Sequence, residues 1–210
     1  MTQTCRLIAV TGGSASGKSR LSQALAQHFA DEGSYVLAED DYYVDAGNMP
    51  GFNPSAFNFD EPAAKDHDLL SEHLGHLRQG RPIAQPVYDF ATHCRAGHTV
   101  ERHPAPVVIV EGMHLLCAPA LREHFHFSVY VSAGDPLRLQ RRIARDVAER
   151  SRTEAFARQQ FETHVRPMHD LHVEPQKPHA DLILENRGAP DFEALVRPVV
   201  EHIRRLQPAV

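Results

Sequence analysis

The residues Gly12-Gly-Ser-Ala-Ser-Gly-Lys-Ser19 decide the fold of this chain, because they fit the pattern G-x-x-x-x-G-K-[ST]. In such a P-loop, glycines let successive backbone N–H groups turn inward around phosphates, and the following helix presents its positive N-terminus to them. Lys18 supplies a mobile positive charge for the β- and γ-phosphates, and the Ser19 hydroxyl binds Mg²⁺. The residues expected to contact the triphosphate of ATP are Gly12, Gly13, Ser14, Ala15, Ser16, Gly17, Lys18 and Ser19.

The residues on either side of this motif have the patterns that a P-loop requires. The apolar run Arg6-Leu-Ile-Ala-Val10 predicts a buried strand that leads into the glycine turn. From residue 18 to residue 30, Leu21, Leu25 and Phe29 recur at four-residue spacing, which predicts an amphipathic helix. A strand, a phosphate-binding turn and a helix therefore follow one another in the required order.

The rest of the chain continues the alternation of strands and helices. Further strands are predicted at 35–38, 107–110, 127–131 and 182–184, and further helices at 135–150 and 191–206. This alternation predicts an α/β fold of the P-loop kinase type, with a parallel sheet flanked by helices on both faces, as a single domain over residues 1–210. Residues 48–99 interrupt it with many Pro, Gly, Asn and aromatic residues, and are predicted to be a substrate-binding insertion.

The composition excludes several classes of function. A formal net charge of −5 gives no global basic field that would attract nucleic acid or an anionic membrane. No apolar run is long enough to span a bilayer, and three cysteines without paired spacing indicate reduced thiols, so we expect a cytoplasmic protein. The fifteen histidines lack a zinc-ligand spacing, which favours solvated or hydrogen-bonded histidines over a structural metal.

Carboxylates follow two of the predicted strands. Glu111 comes at the end of the apolar run that starts at Val107, and it is predicted to join Ser19 at the Mg²⁺, since ligands bind at the carboxyl ends of parallel strands. Asp40, in the acidic cluster after the second strand, is predicted to be the catalytic base that accepts the proton of an attacking hydroxyl, with Lys18 as its catalytic partner at the phosphates. A loop glutamate and a solvated acidic loop are the alternatives for these two positions.

A segment rich in arginine follows the strand at 127–131. On a helix, the first four of its arginines fall within an arc of about 100°, opposite Leu139, Ile143 and Val147. A solvated charged face is the alternative, but so many like charges repel one another unless an anion lies among them. We therefore predict a lid over about 138–165 that closes on the ATP phosphates. The arginines of the segment are Arg138, Arg141, Arg142, Arg145, Arg150 and Arg152.

At this point the chain resembles the uridine–cytidine kinases, within the phosphoribulokinase/uridine kinase family. The resemblance runs from the P-loop to about Leu184. Besides the P-loop, its ordered motifs are Asp40-Asp-Tyr-Tyr43, Asn58-Phe-Asp-Glu-Pro62, Pro86-Val-Tyr-Asp-Phe-Ala-Thr-His-Cys-Arg95, Val108-Ile-Val-Glu-Gly112, Arg141-Arg-Ile-Ala-Arg-Asp146, Val165-Arg-Pro-Met-His169 and Val173-Glu-Pro-Gln-Lys177.

The resemblance implies transfer of the γ-phosphoryl group of ATP to the 5′-hydroxyl of uridine and cytidine, with Mg²⁺, in pyrimidine salvage. It implies that Asp40 is the base, that Asp60 holds the ribose hydroxyls with Arg142 nearby, and that His93 reads the pyrimidine edge. It also implies a homotetramer. The remaining residues carried over are the aromatic walls Tyr43, Tyr88 and Phe90, the substrate contacts Arg152 and Gln160, and the lid arginines Arg145 and Arg150.

Other functions stay open at the level of sequence. The chain departs from the family at Ser151, where glycine is common, at Val44 and at Cys94, and in the tail after Leu184, so ATP rather than GTP as donor is an expectation only. Kinases of another acceptor, such as nicotinamide riboside or a sugar phosphate, share the same P-loop. A nucleotide-gated switch without catalysis is the alternative outside the enzymes.

Overall fold

A five-stranded parallel sheet forms the centre of the fold. The structure is a computed structural model that describes residues 5–54, 56–149, 152–188 and 192–206. The strands are β1 (Arg6–Thr11), β2 (Tyr35–Ala38), β3 (Ile83–Asp89), β4 (Cys94–Arg102), β5 (Val107–Gly112), β6 (Phe127–Ser132) and β7 (Leu182–Glu185). The order in the sheet is β2-β5-β1-β6-β7, with β1 at its centre, and β3 and β4 form a separate antiparallel hairpin.

Helices cover the sheet on both faces. They are α1 (Lys18–His28), α2 (His67–Arg78), α3 (Pro119–Arg122), α4 (Asp135–Glu149), α5 (Glu154–Gln160), α6 (Arg166–Met168) and α7 (Glu193–Arg205). One face buries Ile8 and Val10 of β1 beneath α1 and α7, and the other face buries Leu7 and Ala9 beneath α2 and α3. These four side chains point alternately to the two faces, as expected for a strand that is buried on both sides of the sheet. The predicted α/β fold is confirmed.

The predicted elements agree with the observed ones within a few residues. The helix predicted to run to Ala30 ends at His28, and a 3₁₀ turn follows at Ala30–Glu32. Arg150, Ser151 and Asp191 lie outside the described residues. The three cysteines are free thiols.

The segment 48–99 is only partly an insertion. Helix α2 lies within it, and its side chains Leu70, Leu74 and Leu77 are completely buried in the core beside the sheet. Asp66 caps this helix by accepting a hydrogen bond from the Leu69 amide at 3.0 Å. What stands apart from the sheet is the loop before α2 and the hairpin of β3 and β4. The composition of 48–99 concealed the helix, because its Pro and aromatic residues lie in those flanking parts.

Helix α4 turns its charged side inward. Arg138, Arg142 and Asp146, spaced four residues apart, are buried, whereas Val147 is 48% exposed. This is the reverse of an ordinary amphipathic helix, in which the apolar side faces the core. Buried charges need partners, so the arginine side of α4 must face compensating groups. A helical stretch from α5 through α6, with π-helical turns at Phe161–Val165 and His169–Val173, packs beside it.

Among the described residues, no helix is long and apolar enough to cross a membrane.

We predict that Leu74→Ala lowers the free energy of unfolding by about 2–5 kcal/mol, because it leaves a cavity in a core of the sheet. Val100→Ala, at an exposed position of β4, is the control and is expected to change stability by less than about 0.5 kcal/mol. Urea denaturation monitored by circular dichroism measures both. A loss below about 1 kcal/mol for Leu74→Ala would contradict the assignment of α2 to the core.

Candidate active site

The P-loop connects β1 to α1 with a backbone that only glycine adopts at two positions. Gly12 has a φ of 142°, and a Cβ there would collide with the carbonyl of Val131 on the neighbouring strand. Gly17 has a φ of 101° and packs against the Asn186 side chain. Left-handed backbone and close approach together require glycine at both ends of the loop.

Side chains from distant parts of the chain hold the P-loop in shape. The amide nitrogen of Asn186 donates to the carbonyl of Ser16 at 2.8 Å, and the Arg141 guanidinium donates to the same carbonyl at 3.3 Å. Arg142 donates to the Ser14 hydroxyl at 3.0 Å. Sequence reasoning did not assign Asn186 to the site. Its position immediately after β7 was the available signal, because loops at the carboxyl ends of parallel strands form ligand sites.

Glu111 lies beside the end of the P-loop. Strand β5 pairs with β1 in a register that sets Glu111 opposite Val10. The Ser19 hydroxyl donates to Glu111 Oε1 at 3.1 Å, and the Lys18 Nζ is 3.3 Å from the same oxygen. A hydroxyl and a carboxylate are the oxygen ligands that a hard divalent cation takes beside nucleotide phosphates, so these residues fit the metal that phosphoryl transfer from ATP requires.

Asp40 follows β2 in a short 3₁₀ turn, Glu39–Tyr42, and its carboxylate is half exposed. Its Oδ1 lies 2.9 Å from the Lys65 Nζ. Burial opposes ionisation of Asp40, but the positive charges of Lys65 and Lys18 outweigh it, so the pKa of Asp40 lies below its usual value. The carboxylate is ionised at neutral pH and able to accept a proton.

A cleft of about 500 Å³ opens in front of Asp40. The predicted site residues that it brings together come from the P-loop, the loop before α2, the hairpin and the lid helices. They are Ser14, Lys18, Asp40, Tyr43, Asp60, Tyr88, Phe90, His93, Arg142, Arg145, Arg152 and Gln160. The cleft is also lined by residues that the sequence analysis did not single out, namely Phe57, Asn58, Phe59, Ala91, Met113 and His164. The aromatic residues on both sides of Asn58 were the signal that was overlooked.

Aromatic rings form one connected wall of this cleft. The Tyr43 ring centroid is 5.1 Å from that of Tyr88, which is 5.2 Å from that of Phe90. Tyr43 also packs edge-on against Phe59 with centroids 5.8 Å apart, and His93 stacks on Phe59 with centroids 4.7 Å apart. Burial and the nearby charge of Arg152 lower the pKa of His93 below its usual value, so its imidazole is neutral at neutral pH. A flat, uncharged ligand with hydrogen-bonding edges suits these surroundings.

One carboxylate, Asp146, compensates the arginines of the lid. It is fully buried and lies 3.2 Å from Arg145, 3.4 Å from Arg152 and 3.5 Å from Arg142. The Gln160 side-chain oxygen accepts hydrogen bonds from Arg142 and Arg152, both at 2.8 Å. One carboxylate neutralises only part of the charge of three guanidinium groups, so the prediction that these arginines meet the ATP phosphates stays a prediction.

Arg138 does not share the environment of the other lid arginines. It is fully buried, pairs with Asp135 at 2.6 Å, and lies over the Phe161 ring at 5.5 Å. Arg138 nevertheless reaches the P-loop, because a Cβ on Gly13 would collide with its guanidinium. All four arginines of the predicted arc therefore border the P-loop or the cleft. Arg150, predicted to contact ATP, lies outside the described residues.

A smaller cavity of about 250 Å³ lies on the outer side of the P-loop. Arg20 stacks over the Phe192 ring at 4.1 Å beside it, and Arg145 lines both this cavity and the larger cleft. The other residues that line the smaller cavity are Ala15, Gly17, Lys18, Ser19, Arg141 and Asn186. Residues of the P-loop therefore line both cavities.

A P-loop at the end of a central strand, with the Ser19 hydroxyl and the carboxylates of Glu111 and Asp40 near it, is typical of a P-loop kinase. Residues 7–193 match the Phosphoribulokinase / Uridine kinase family. The chain is 40% identical over 182 residues to the uridine kinase of Geobacillus kaustophilus (strain HTA426), covering 87% of this chain and 86% of that protein. It is 38% identical over 189 residues to the uridine kinase of Staphylococcus epidermidis (strain ATCC 12228 / FDA PCI 1200), covering 90% and 91%. The chain belongs to the phosphoribulokinase/uridine kinase family.

Solved structures agree on the fold. The chain superposes on phosphoribulokinase from Rhodobacter spheroides with a TM-score of 0.60 at 13% identity, covering 88% of this chain and 71% of that chain. Shikimate kinase from Acinetobacter baumannii gives a TM-score of 0.53 at 15% identity, covering 98% and 97%. The predictions of family, P-loop kinase fold and ATP-dependent kinase are confirmed.

We predict that Asp146→Asn lowers the free energy of unfolding by about 3 kcal/mol, because it leaves buried and half-buried guanidinium groups without their carboxylate. Added tripolyphosphate should then raise the melting temperature more in this variant than in the wild type, since it replaces the lost negative charge. Glu154→Ala, which breaks an exposed pair with Arg158, is the control and should cost less than about 1 kcal/mol. Equal stability of Asp146→Asn and the wild type would contradict this assignment.

Proposed function

We propose that the protein transfers the γ-phosphoryl group of ATP to the 5′-hydroxyl of uridine and of cytidine, giving UMP and CMP for pyrimidine salvage. One observation carries the proposal: Asp40, Lys18, the aromatic walls and His93 line the same cleft. The names of the relatives, uridine kinases at about 40% identity, support uridine as an acceptor.

The donor side follows from the P-loop. The amides of residues 12–19 and the N-terminus of α1 face the phosphates, and Lys18 neutralises charge that shifts to the leaving oxygen. Arg145, which borders both cavities, contacts the transferring group when the lid closes. Ser19 and Glu111 would hold Mg²⁺ here, and the ion would supply charge stabilisation at the phosphates.

On the acceptor side, Asp40 accepts the proton of the 5′-hydroxyl as this oxygen attacks the γ-phosphorus. Asp60, with Arg142, binds the ribose hydroxyls, and a carboxylate suits this role because it accepts from two neighbouring donors. The pyrimidine packs against the aromatic side chains Tyr43, Tyr88 and Phe90, and His93 lies at its edge. A neutral imidazole donates at one nitrogen and accepts at the other, so it tolerates both the uracil oxygen and the cytosine amino group.

Gln160 and Asp146 position the lid. Gln160 holds two guanidinium groups at hydrogen-bond distance from one oxygen, and Asp146 holds the same two together with Arg145. Arg142 and Arg152 are thereby oriented before the substrate binds, which reduces the entropy lost on closure. The lid in this proposal is the segment of about 138–165, and the loop before α2 with the β3–β4 hairpin forms the acceptor module.

The donor base is proposed to bind in the smaller cavity, against Phe192 and Arg20. The family resemblance favours ATP, although the tail that carries Asn186 departs from the usual family sequence. The homotetramer and the cytoplasmic location stay predictions. The exposed apolar side chains Val147, Phe156 and Leu171 are compatible with a surface that a second copy covers.

We predict that ATP consumption in a panel of uridine, cytidine, adenosine, nicotinamide riboside and a pentose phosphate is fastest with the two pyrimidine ribonucleosides. The physical reason is that the cleft is lined by aromatic rings and is neutral at His93, which suits a flat, uncharged pyrimidine better than a purine, a cationic pyridinium or a phosphorylated sugar. Faster ATP consumption with nicotinamide riboside or with the pentose phosphate would favour a kinase of that acceptor. Phosphate release without any acceptor would favour a nucleotide-gated switch.

We predict that Asp40→Asn lowers kcat by about 10²–10⁴-fold, because the amide cannot accept the hydroxyl proton, while ATP still binds. Steady-state kinetics and nucleotide titration by calorimetry measure the two effects. The matched control is Asp41→Asn, since Asp41 is the next carboxylate in the chain and pairs with Gln85 instead of lining the cleft. Full turnover by a folded Asp40→Asn variant would show that the base is another group.

A further inference from the structure

Lys65 lies directly behind the proposed base, and the sequence analysis gave it no role. Its side chain is fully buried, with Nζ 2.9 Å from Asp40 Oδ1 and 2.8 Å from Glu39 Oε2. The ammonium also lies 4.8 Å from the centre of the Tyr43 ring. A lysine is almost never buried completely unless it is paired, so this position needs an explanation.

The backbone fixes Lys65 opposite the segment that carries Asp40. Tyr43 and Lys65 form an antiparallel bridge. On either side of this bridge, the Asp66 amide donates to the Tyr42 carbonyl at 2.8 Å and the Val44 amide donates to the Ala64 carbonyl at 3.0 Å. Lys65 is thus held in register with the turn after β2 and is not a mobile surface lysine.

Glu39 anchors the ammonium from the other side. Its Oε2 accepts hydrogen bonds from the amides of Met113 at 2.8 Å and His114 at 3.2 Å, and its Oε1 lies 2.9 Å from the His67 ring nitrogen. Burial opposes the charge of Lys65, but the two carboxylates outweigh it and raise the pKa of Lys65 well above its usual value. The lysine is therefore charged at every pH at which the protein works.

We propose that Lys65 is a positioning residue for the phosphoryl transfer: it holds the Asp40 carboxylate in place and supplies its counter-charge from behind, leaving the half-exposed face of Asp40 to the acceptor hydroxyl. The inference rests on the proposed role of Asp40 as base.

The charges around Asp40 determine what the loss of Lys65 does. Without its ammonium, the remaining influences on Asp40 are burial and Glu39, which raise the pKa of Asp40, and Lys18, which lowers it. With Glu39 also made neutral, burial acts against Lys18 alone. The pKa of Asp40 should therefore rise in either variant. The titratable and charged groups that face this cluster are Lys18, Glu39, Asp41, Tyr43, His67, Tyr88 and His114.

The same cluster has the composition of a metal site. Ligand atoms of Glu39, His67 and His114 lie within 4.8 Å of one another, and neither ring nitrogen of the buried His114 has a hydrogen-bond partner. The Lys65 ammonium already neutralises Glu39 at 2.8 Å, and it would repel a divalent ion there. We therefore assign the cation of this cluster to Lys65. One zinc ion per chain in the purified protein would overturn that assignment.

The test is the pH dependence of kcat/KM for uridine in the wild type and in the double variant E39Q/K65M. The double variant removes a buried ion pair as a unit, because Lys65→Met alone leaves Glu39 buried without its cation. We expect kcat at pH 8 to fall about tenfold because the base is less well positioned. We also expect the acidic limb of the profile to move to higher pH, with a further loss of about tenfold for each pH unit below the new pKa of Asp40.

The control is Lys177→Met, which removes a lysine paired with Glu174 at 2.6 Å outside both cavities. It should leave kcat and the pH profile unchanged. A purely structural role for Lys65 would lower kcat/KM by the same factor at every pH, and that parallel profile would overturn the proposal.

A second measurement separates this proposal from the proposed function. The carboxyl carbon of Asp40, identified in ¹³C NMR spectra by comparison with Asp40→Asn, should titrate at higher pH in E39Q/K65M than in the wild type. This result does not depend on turnover. If the wild type phosphorylates no acceptor but the Asp40 titration shifts, the proposed function fails and the pairing stands. If uridine is phosphorylated and the titration does not shift, the Lys65 proposal fails alone.

Discussion

The central place of β1 in the sheet is the constraint on which the site depends. With β5 on one side of β1 and β6 on the other, three parallel strands end side by side, so the P-loop after β1 receives Glu111 from β5 and a backbone contact from Val131 on β6. Strand β2, one position further out, delivers Asp40 beyond Glu111. The P-loop and the proposed metal ligands and base are therefore placed by the order of the strands in the sheet.

Charge compensation is the second requirement, and the chain meets it twice in the same manner. At the lid, one buried aspartate holds three arginines; behind the base, one buried lysine holds two carboxylates. Removing one member of such a group costs more than the group contributes, because the remaining charges stay buried without partners. Both arrangements fix side chains that face the cleft. They therefore serve the orientation of these side chains more than the stability of the fold. The net charge of −5 for the whole chain gives no sign of the basic side chains that are concentrated around the cleft.

The sequence predicted the parts of the site that depend on local pattern. The P-loop, Glu111 and Asp40 each follow an apolar strand, and the ends of parallel strands meet at one edge of the sheet. Their proximity therefore follows from the apolar pattern of the strands and from their parallel arrangement. Family motifs then gave the cleft residues from Tyr43 to Gln160, and all of those described line it. Lys65 and Asn186 were missed for a physical reason: each acts through a long-range contact, and no local pattern distinguishes a buried paired lysine from a solvated one. Helix α2 was missed because its surroundings have the composition of a loop, whereas its buried leucines recur at the ordinary helical spacing.

The division between sheet and insertion also bears on specificity. The groups that carry out the transfer lie at strand ends, where the core fixes them, whereas the aromatic walls belong to the loop before α2 and to the β3–β4 hairpin, which stand apart from the sheet. Tyr43 and Lys65 connect the two parts, since their bridge joins the turn that carries the base to the segment leading into α2. A change of acceptor in the loop and hairpin can therefore leave the phosphate chemistry intact, provided that it keeps this bridge. The β3–β4 hairpin adds further contacts to the same turn, because Gln85 donates to the Asp41 carboxylate and Arg95 donates to the carbonyls of Tyr42 and Tyr43. A change of acceptor must therefore keep these contacts as well as the bridge.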